Sequence, residues 1–396
     1  MSGRLLRPLN AALLRGLWLE RRIDPYFRPA FDRLFQKPLS ALVQKAINAR
    51  RRDLPLAPGE ERLLPNEEEI TNQIVETMTT FLHRQYEGAG PALRAGNTKT
   101  YGVVRGEFEV LAGLPAALRH GLFASPGTYK AWVRFGGPGP LAPPDLRDNG
   151  VLSLGVKVMG VDGPKLLDDE QATQDFTGIS APTFTTPDVV ENLKLQGWSL
   201  KGMPLFYFIG LRDSHVLDGM MQGLYAKTHT NPLEARYWSC VAYRLGEGQA
   251  MHYAITPRAG GAGRRTPFPR KPSANYLREA MVATLASGGV EYDFGVQLQT
   301  DPWRMPIETA AVAWPERLSP FVTVARLRVP AQGFDSAEQL AFGENLAFNP
   351  WHSLPEHRPL GNQNRARRTI YYELSKVRQA MNGSPHVEPT GDEVFA

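Results

Sequence analysis

Hydrophobic and polar positions follow three different patterns along the chain. In residues 1–60, Leu, Trp and Phe recur with Arg and Lys at helical spacing, which predicts an N-terminal arm of short amphipathic helices. Between about residues 100 and 330, short β-branched and aromatic runs bounded by Gly, Pro and Asp predict strands. Near the C-terminus a stripe of apolar residues predicts a helix over residues 364–383, with Asn364 as its N-cap and Gly383 as its end.

The order of these elements predicts the fold class. Strands are expected at 102–111, 129–137, 152–161, 241–246, 250–257, 293–300 and 320–330. Helices are expected near 187–195 and 274–286, and in a segment that opens at Asn66 with a capping box to Glu69. Strands joined mostly by turns, with helices grouped at the ends, favour an α+β fold around an antiparallel β-barrel. Residues 1–60 form the arm in this interpretation, and residues 61–396 form the body.

Candidate chemistry lies on the C-terminal helix. Arg367 precedes Tyr371 by one turn, so its guanidinium can reach the phenol oxygen. A nearby positive charge favours the phenolate, and a tyrosine phenolate is a known haem ligand. Arg378 follows on the same side of the helix and could meet a haem propionate. Taken alone, this pattern is more often a solvated basic face with a tyrosine at its edge.

Composition excludes several other classes. The 396 residues carry a formal net charge of +5, with scattered basic residues and no recognised nucleic-acid motif, so no nucleic-acid partner is expected. A thiolate haem ligand would have to be Cys240, the single cysteine, which reads as a buried small hydrophobic residue. Gly-x-Ser-x-Gly and Walker A motifs are absent from the sequence.

The arm leaves two interpretations open. A helix of this composition can lie on a membrane surface, giving peripheral contact through residues 1–60. It can also pack on the body or on a partner subunit, which is the commoner use of such helices and is favoured here. The sequence has no apolar run of transmembrane length and no secretory signal, so a cytoplasmic protein is expected. A homo-oligomer remains open.

Several motifs together resemble a known family. The segment FNPWHSLPEHRPLG at 348–361, followed by the Arg367 and Tyr371 pair, resembles the proximal side of haem catalases. With the segments 114–135, 155–161, 166–184 and 236–239, it is still more similar to their short relatives, which include allene oxide synthases and small hydroperoxide-metabolising enzymes. The resemblance implies a catalase-like barrel with surrounding helices and haem b between the barrel and the C-terminal helix. Tyr371 would bind the iron, with Arg367 paired to it.

The same resemblance assigns the residues around the haem. Arg94, Arg134 and Arg378 match arginines that bind the propionates. On the distal side Asn97 stands where the family has its histidine, and Ser180 stands where it has an asparagine. Asn97 cannot take up a proton at neutral pH, whereas Thr98 could hydrogen-bond a bound oxygen.

These residues predict a haem-dependent oxidoreductase that acts on peroxide or on an organic hydroperoxide, including lipid hydroperoxides. The missing distal base predicts weak classical catalase activity. The alternatives are a haem enzyme of different chemistry on the same fold, and a non-catalytic haem-binding protein.

Overall fold

The computed structural model describes residues 3–53, 56–210, 213–258 and 266–395, and the side chains of residues 3–5 lie outside the described part. The strands are β1 (Thr100–Val110), β2 (Gly127–Gly136), β3 (Ser153–Met159), β4 (Thr173–Ile179), β5 (Tyr237–Trp238), β6 (Tyr243–Arg244), β7 (Ala250–Pro257), β8 (Val290–Leu298) and β9 (Val322–Val329). The helices are α1 (Gly3–Phe31), α2 (Lys37–Arg50), α3 (Glu67–Tyr86), α4 (Val189–Leu200), α5 (Leu205–Ile209), α6 (Val216–Tyr225), α7 (Tyr276–Ser287), α8 (Ala337–Asn345) and α9 (Asn362–Asn382).

Antiparallel pairing closes the sheet into a barrel. The strand order is β5-β4-β3-β2-β1-β9-β8-β7, and β5 pairs back onto β7, while β6 extends the sheet beside β7. Closure removes free edges from a sheet whose strands are otherwise short. The predicted α+β fold around an antiparallel β-barrel is confirmed.

Successive residues of each strand point alternately into the barrel and away from it. The interior is apolar, and part of the outer face is covered by other segments of the chain. Phe108, Phe176 and Phe294 point inward, with the Phe176 and Phe294 ring centroids 4.8 Å apart. On the outer face Arg134 of β2 lies next to Gly155 of β3, which lies next to Thr177 of β4. Helices α8 and α9 and the segment between them cover this face, and the candidate site lies there.

Local details of the helices differ from the sequence prediction. Helix α9 begins at Asn362 and not at Asn364, because Gly361 at φ 86° makes the turn; a Cβ there would meet the Ile307 carbonyl oxygen at 2.5 Å. Asn364 therefore lies inside the helix. The predicted stop at Gly383 is confirmed, with φ 59°. Asn66 caps α3 without a side-chain hydrogen bond, so the predicted capping box is wrong.

The arm is one long rod and not a set of short helices. A π-helical turn, Asp32–Gln36, joins α1 to α2 without a break. None of the described helices combines the length and apolar character needed to cross a bilayer.

Candidate functional site

Helix α9 brings Arg367 and Tyr371 together at the outer face of the barrel. Its apolar side, which includes Ile370, packs against Ile74 of α3 and Val189 at the start of α4, and Tyr371 lies at the edge of this cluster. The spacing of one helical turn places the Arg367 guanidinium over the Tyr371 ring, with its central carbon 4.8 Å from the ring centroid. This differs from the expected contact with the phenol oxygen.

Two hydrogen bonds fix the Arg367 guanidinium in that position. It donates to Asn364 Oδ1 at 2.8 Å within α9 and to Thr177 Oγ1 at 2.6 Å on β4. Its Nε is buried and has no partner among the described residues. Burial opposes the charge, but the phenols of Tyr371 and Tyr243 outweigh burial and raise the pKa of Arg367. A permanent positive charge therefore lies beside the Tyr371 phenol.

The segment that precedes α9 ties the helix to the barrel. Asn349 Nδ2 donates to the Arg368 carbonyl at 3.0 Å, and Trp351 Nε1 donates to the Asn364 carbonyl at 2.6 Å. The Asn349 backbone N–H donates to Asp175 on β4 at 2.8 Å. The position of Tyr371 relative to the barrel therefore depends on these few bonds.

A buried ionic cluster holds the segment that precedes α9 against strands β3 and β4. The Lys157 ammonium contacts Glu170 and lies 2.9 Å from Asp175, and all three side chains are fully buried. His352 bonds Asp175 through Nδ1 at 2.9 Å and Asp169 through Nε2 at 3.0 Å. Burial and the Lys157 charge oppose protonation, but the carboxylates of Asp169 and Asp175 prevail and raise the pKa of His352 to about 9.

This cluster has donor atoms of the kind that hold a metal. Glu170, Asp175 and His352 offer ligand atoms within 4.8 Å of one another, and so do Glu191, Asp213 and His215 near α4. In both groups a lysine ammonium already contacts the carboxylates, Lys157 in the first and Lys194 in the second. The lysines supply the cationic charge, so the two clusters are ion-pair networks. Sequence reasoning missed both, because their residues are spread over separate segments.

Two of the predicted propionate-binding arginines meet at the end of α8. Arg94 donates to Glu344 Oε2 at 2.9 Å and to the Leu346 carbonyl at 2.5 Å. Arg378 donates to the Glu344 and Leu346 carbonyls, the latter at 3.3 Å. Carbonyls at a helix C-terminus attract positive charge, so the α8 terminus draws both guanidiniums together.

Arg134 is the third member of this arginine cluster. It donates to Thr100 Oγ1 at 2.8 Å and to the Asn97 carbonyl at 2.8 Å. Burial, followed by the charge of Arg94, lowers the pKa of Arg134 well below its usual value, and the Arg378 charge adds to the effect. Burial and Arg94 also lower the pKa of Arg378 to about 9, while Glu344 opposes the shift. Two buried guanidiniums and the partly buried Arg94 thus share the Glu344 carboxylate among the described residues, an arrangement that favours an added anion.

The predicted distal residues fall into two groups. Asn97, in a left-handed conformation at φ 49°, and Thr98 lie beside the arginine cluster. The Thr98 hydroxyl donates to the Arg94 carbonyl at 2.6 Å, so its proton is engaged. Ser180 lies elsewhere, at the end of β4, where its Oγ accepts the Leu152 N–H at 2.8 Å.

Ser180 has a histidine neighbour that the sequence did not place. His229 Nε2 lies 3.3 Å from Ser180 Oγ. Burial first, and then the charges of Lys227 and Arg21, lower the pKa of His229 well below its usual value, so the ring is neutral. No signal in the sequence indicated this contact, because Ser180 and His229 lie 49 residues apart along the chain.

The described residues fit a haem group. Tyr371 offers a phenol whose ring lies under a fixed guanidinium, and the arginine cluster carries more positive charge than Glu344 neutralises, which suits carboxylates. Between them the Phe348 ring lies against Gly155, where a Cβ would come within 2.8 Å of the ring. An aromatic side chain between the two charged groups adds apolar surface that a flat macrocycle can contact.

Comparisons with known proteins agree with the fold. The chain is similar to a fungal catalase structure, with 14% sequence identity and a TM-score of 0.57 over 87% of this chain and 70% of that one. It is also similar to catalase A from Saccharomyces cerevisiae, with 13% identity and a TM-score of 0.56 over 87% of this chain and 73% of that one. The chain thus has the catalase fold. No protein-family model and no curated protein matches it.

Proposed function

We propose that the protein is a haem b-dependent oxidoreductase that acts on peroxide or an organic hydroperoxide. The observation that carries this proposal is the joint presence of two features on one face of the barrel. One is the Arg367 guanidinium over Tyr371, and the other is the arginine cluster of Arg94, Arg134 and Arg378. The catalase fold supports the same proposal.

Each residue has a defined task in this proposal. Haem supplies the redox chemistry that cleaves a peroxide O–O bond. Tyr371 would ligate the iron, and the Arg367 cation over its ring would stabilise a phenolate ligand. The three arginines hold the propionates, exchanging carbonyl partners for charge-assisted hydrogen bonds.

The proton chemistry sets a limit on the activity. Rapid peroxide cleavage needs a group that takes a proton from one oxygen and delivers it to the other, which typically contributes roughly 10²–10⁴-fold. Asn97 cannot do this, and the Thr98 proton is already donated to a carbonyl. We therefore expect weak classical catalase activity and slower turnover of larger hydroperoxides.

Titration of the purified protein with haem tests the proposal. Wild-type protein should bind one equivalent and give a ferric tyrosinate spectrum. Arg134→Gln should weaken haem binding by roughly tenfold or more, since a charge-assisted pair contributes about 1.5–3 kcal/mol. Arg304→Gln, which changes a half-exposed arginine away from the site, is the matched control and should bind as wild type. Equal binding by Arg134→Gln would contradict the propionate assignment.

A second function is a non-catalytic haem-binding protein. It is favoured by the distal residues themselves, because the Thr98 and Ser180 hydroxyls already have protein partners. Assays of the haem-loaded protein with hydrogen peroxide and with a fatty-acid hydroperoxide separate the two. Turnover above that of free haem supports the enzyme, and its absence supports the binding protein.

A further inference from the structure

Helix α1 of the arm buries polar residues against the body and leaves large apolar residues uncovered. Asn10, Asp24 and Arg28 of α1 are buried. Asp24 accepts the Thr228 N–H at 2.6 Å, and Arg28 donates to the Ala226 carbonyl at 2.7 Å. Charged groups thus face the protein along α1, which reverses the usual arrangement of a helix on a globular surface.

The opposite side of the same rod is apolar. Leu19, Ile23, Tyr26 and Leu34 are 68%, 59%, 75% and 62% exposed. Their spacing of i, i+4, i+7 and i+15 puts them on one side of the helix, and Ile23 lies about 200° around the axis from Arg21 at about 100° per residue. We call this set the outer stripe. Large apolar side chains exposed in a continuous row indicate an interaction surface.

The charges beside the outer stripe have a single sign. In residues 6–50 the exposed charged residues are Arg7, Arg15, Arg22, Arg33, Lys37, Lys45 and Arg50. The acidic residues of the rod are turned away or paired: Asp24 is buried, Asp32 lies 2.6 Å from Arg28, and Glu20 lies 3.8 Å from Arg21. The outward side of the described rod is therefore apolar and basic.

From this arrangement we propose that the arm is the docking surface for an anionic lipid bilayer, with the outer stripe inserted among the acyl chains. Apolar residues flanked by Arg and Lys are the composition of helices that lie in the membrane interface. A second copy of this chain is a poor occupant, because two such faces would bring like charges together. The docking is independent of haem and of the proposed activity.

The fit to a surface also follows from shape. The α1, π-helical and α2 segments run without interruption over residues 3–50, about 72 Å at 1.5 Å per residue. Inward contacts hold the second half as well, where Val43 and Ile47 pack against Met221 of α6. Because both halves of the arm are held to the body by their inward residues, the outer stripe faces away from the body.

Vesicle flotation of the full-length protein tests this proposal. Vesicles of phosphatidylcholine alone and with 30% phosphatidylglycerol (about one lipid in three, enough for a strongly anionic surface) are compared at low and high salt. We expect binding to the anionic vesicles only, weakened by salt. The triple variant Arg15→Gln, Arg22→Gln, Arg33→Gln should bind about 100-fold more weakly, since each basic residue contributes roughly fivefold.

The apolar contribution needs its own variant and control. Leu19→Gln, Ile23→Gln, Tyr26→Gln should abolish flotation, while its far-ultraviolet circular dichroism and unfolding temperature stay near wild type. Leu63→Gln, Val387→Gln, Val394→Gln changes apolar residues that are equally exposed outside the arm and should float as wild type.

Three results would overturn the proposal. The first is that the wild type does not float with anionic vesicles, and the second is that the outer-stripe variant still floats. The third is that light scattering shows a dimer of the wild type and a monomer of the outer-stripe variant. The dimer result would mean that the outer stripe binds a second copy of the chain. Binding of an acidic protein without binding of vesicles would likewise exclude a lipid bilayer as the partner.

Discussion

In the proposed haem site, single residues on the distal side would decide which chemistry can occur. The Asn97 side chain cannot exchange protons, and its carbonyl is held by Arg134 at 2.8 Å. Ser180 carries a hydroxyl whose Oγ contacts the neutral His229 at 3.3 Å. His229 is thus a base beside Ser180, which lies apart from Asn97 and the arginine cluster.

Restoring the two distal groups should raise peroxide turnover. The double variant Asn97→His, Ser180→Asn places a base and an amide donor where the resemblance puts them. We expect hydrogen peroxide turnover by the haem-loaded protein to rise by roughly 10²-fold, the lower end of what a positioned base contributes. Initial rates of oxygen release measure the effect, with the haem spectrum as the check on occupancy.

His229 provides the internal control for that experiment. His229→Gln leaves Asn97 and Ser180 unchanged, and it should not alter the slow wild-type turnover. A drop would mean that His229 acts as the base through Ser180. An unchanged rate in the double variant would mean that Asn97 and Ser180 do not line the distal pocket.

At the scale of elements, helix α9 is positioned by the segment before it and by the ionic cluster beneath. Lys157 lies on β3, Asp175 on β4 and His352 in the connecting segment, so the cluster joins three parts of the chain. Through Asn349 and Trp351 the same segment is bonded to α9. Helix α9 therefore rests on buried charges, and their removal should shift the position of Tyr371.

Lys157→Met should destabilise the protein strongly. The substitution removes the Lys157 ammonium from the buried Glu170 and Asp175 and leaves His352 beside them, and breaking a buried pair by removing one partner costs about 3–5 kcal/mol. Urea unfolding of the haem-free protein measures the loss. Lys376→Met is the control, because its ammonium lies 3.7 Å from Glu373 on the exposed side of α9, and it should cost under about 1 kcal/mol.

The ionic cluster also predicts a pH dependence of stability. The pKa of His352 is raised to about 9 from its ordinary 6.5, so its contribution is complete below pH 6.5 and is lost as pH rises through 9. The groups facing it are Lys157, Asp169, Glu170 and Asp175.

The free energy of unfolding should therefore decrease as the pH rises from 6.5 through 9, and the decrease should be smaller in His352→Gln. His215 contributes in the same window, with its pKa also raised to about 9, so part of the slope should remain. An unaltered slope in His352→Gln would contradict this role.

At the scale of the whole molecule, the strand and helix patterns predicted the architecture well. The run at 250–257 coincides with β7, and the α+β barrel is confirmed. The pattern missed β4, whose seven residues include Gln, Asp and two Thr, because Asp175 and Thr177 face the covered outer side of the barrel. It also missed β5, which has two residues.

The candidate site could be predicted only where it follows one helix or one motif. Arg367 and Tyr371 share a helix, so their proximity follows from spacing. The contact of Ser180 with His229 and the Lys157 cluster depend on strand register and loop closure, which local patterns do not contain. The outward orientation of the arm was equally hidden, since an amphipathic pattern does not say which side faces the protein.

The central claim is that haem is bound through the Tyr371 oxygen, and one spectrum tests it most directly. The haem-loaded wild type, Tyr371→Phe and Tyr372→Phe are compared by ferric absorption. Tyr372 is the matched control, because it is the next residue on α9 and contacts Lys376 away from Arg367. We predict a tyrosinate spectrum in the wild type and in Tyr372→Phe and its loss in Tyr371→Phe. An unchanged spectrum in Tyr371→Phe, or absence of haem binding by the wild type, would contradict the account.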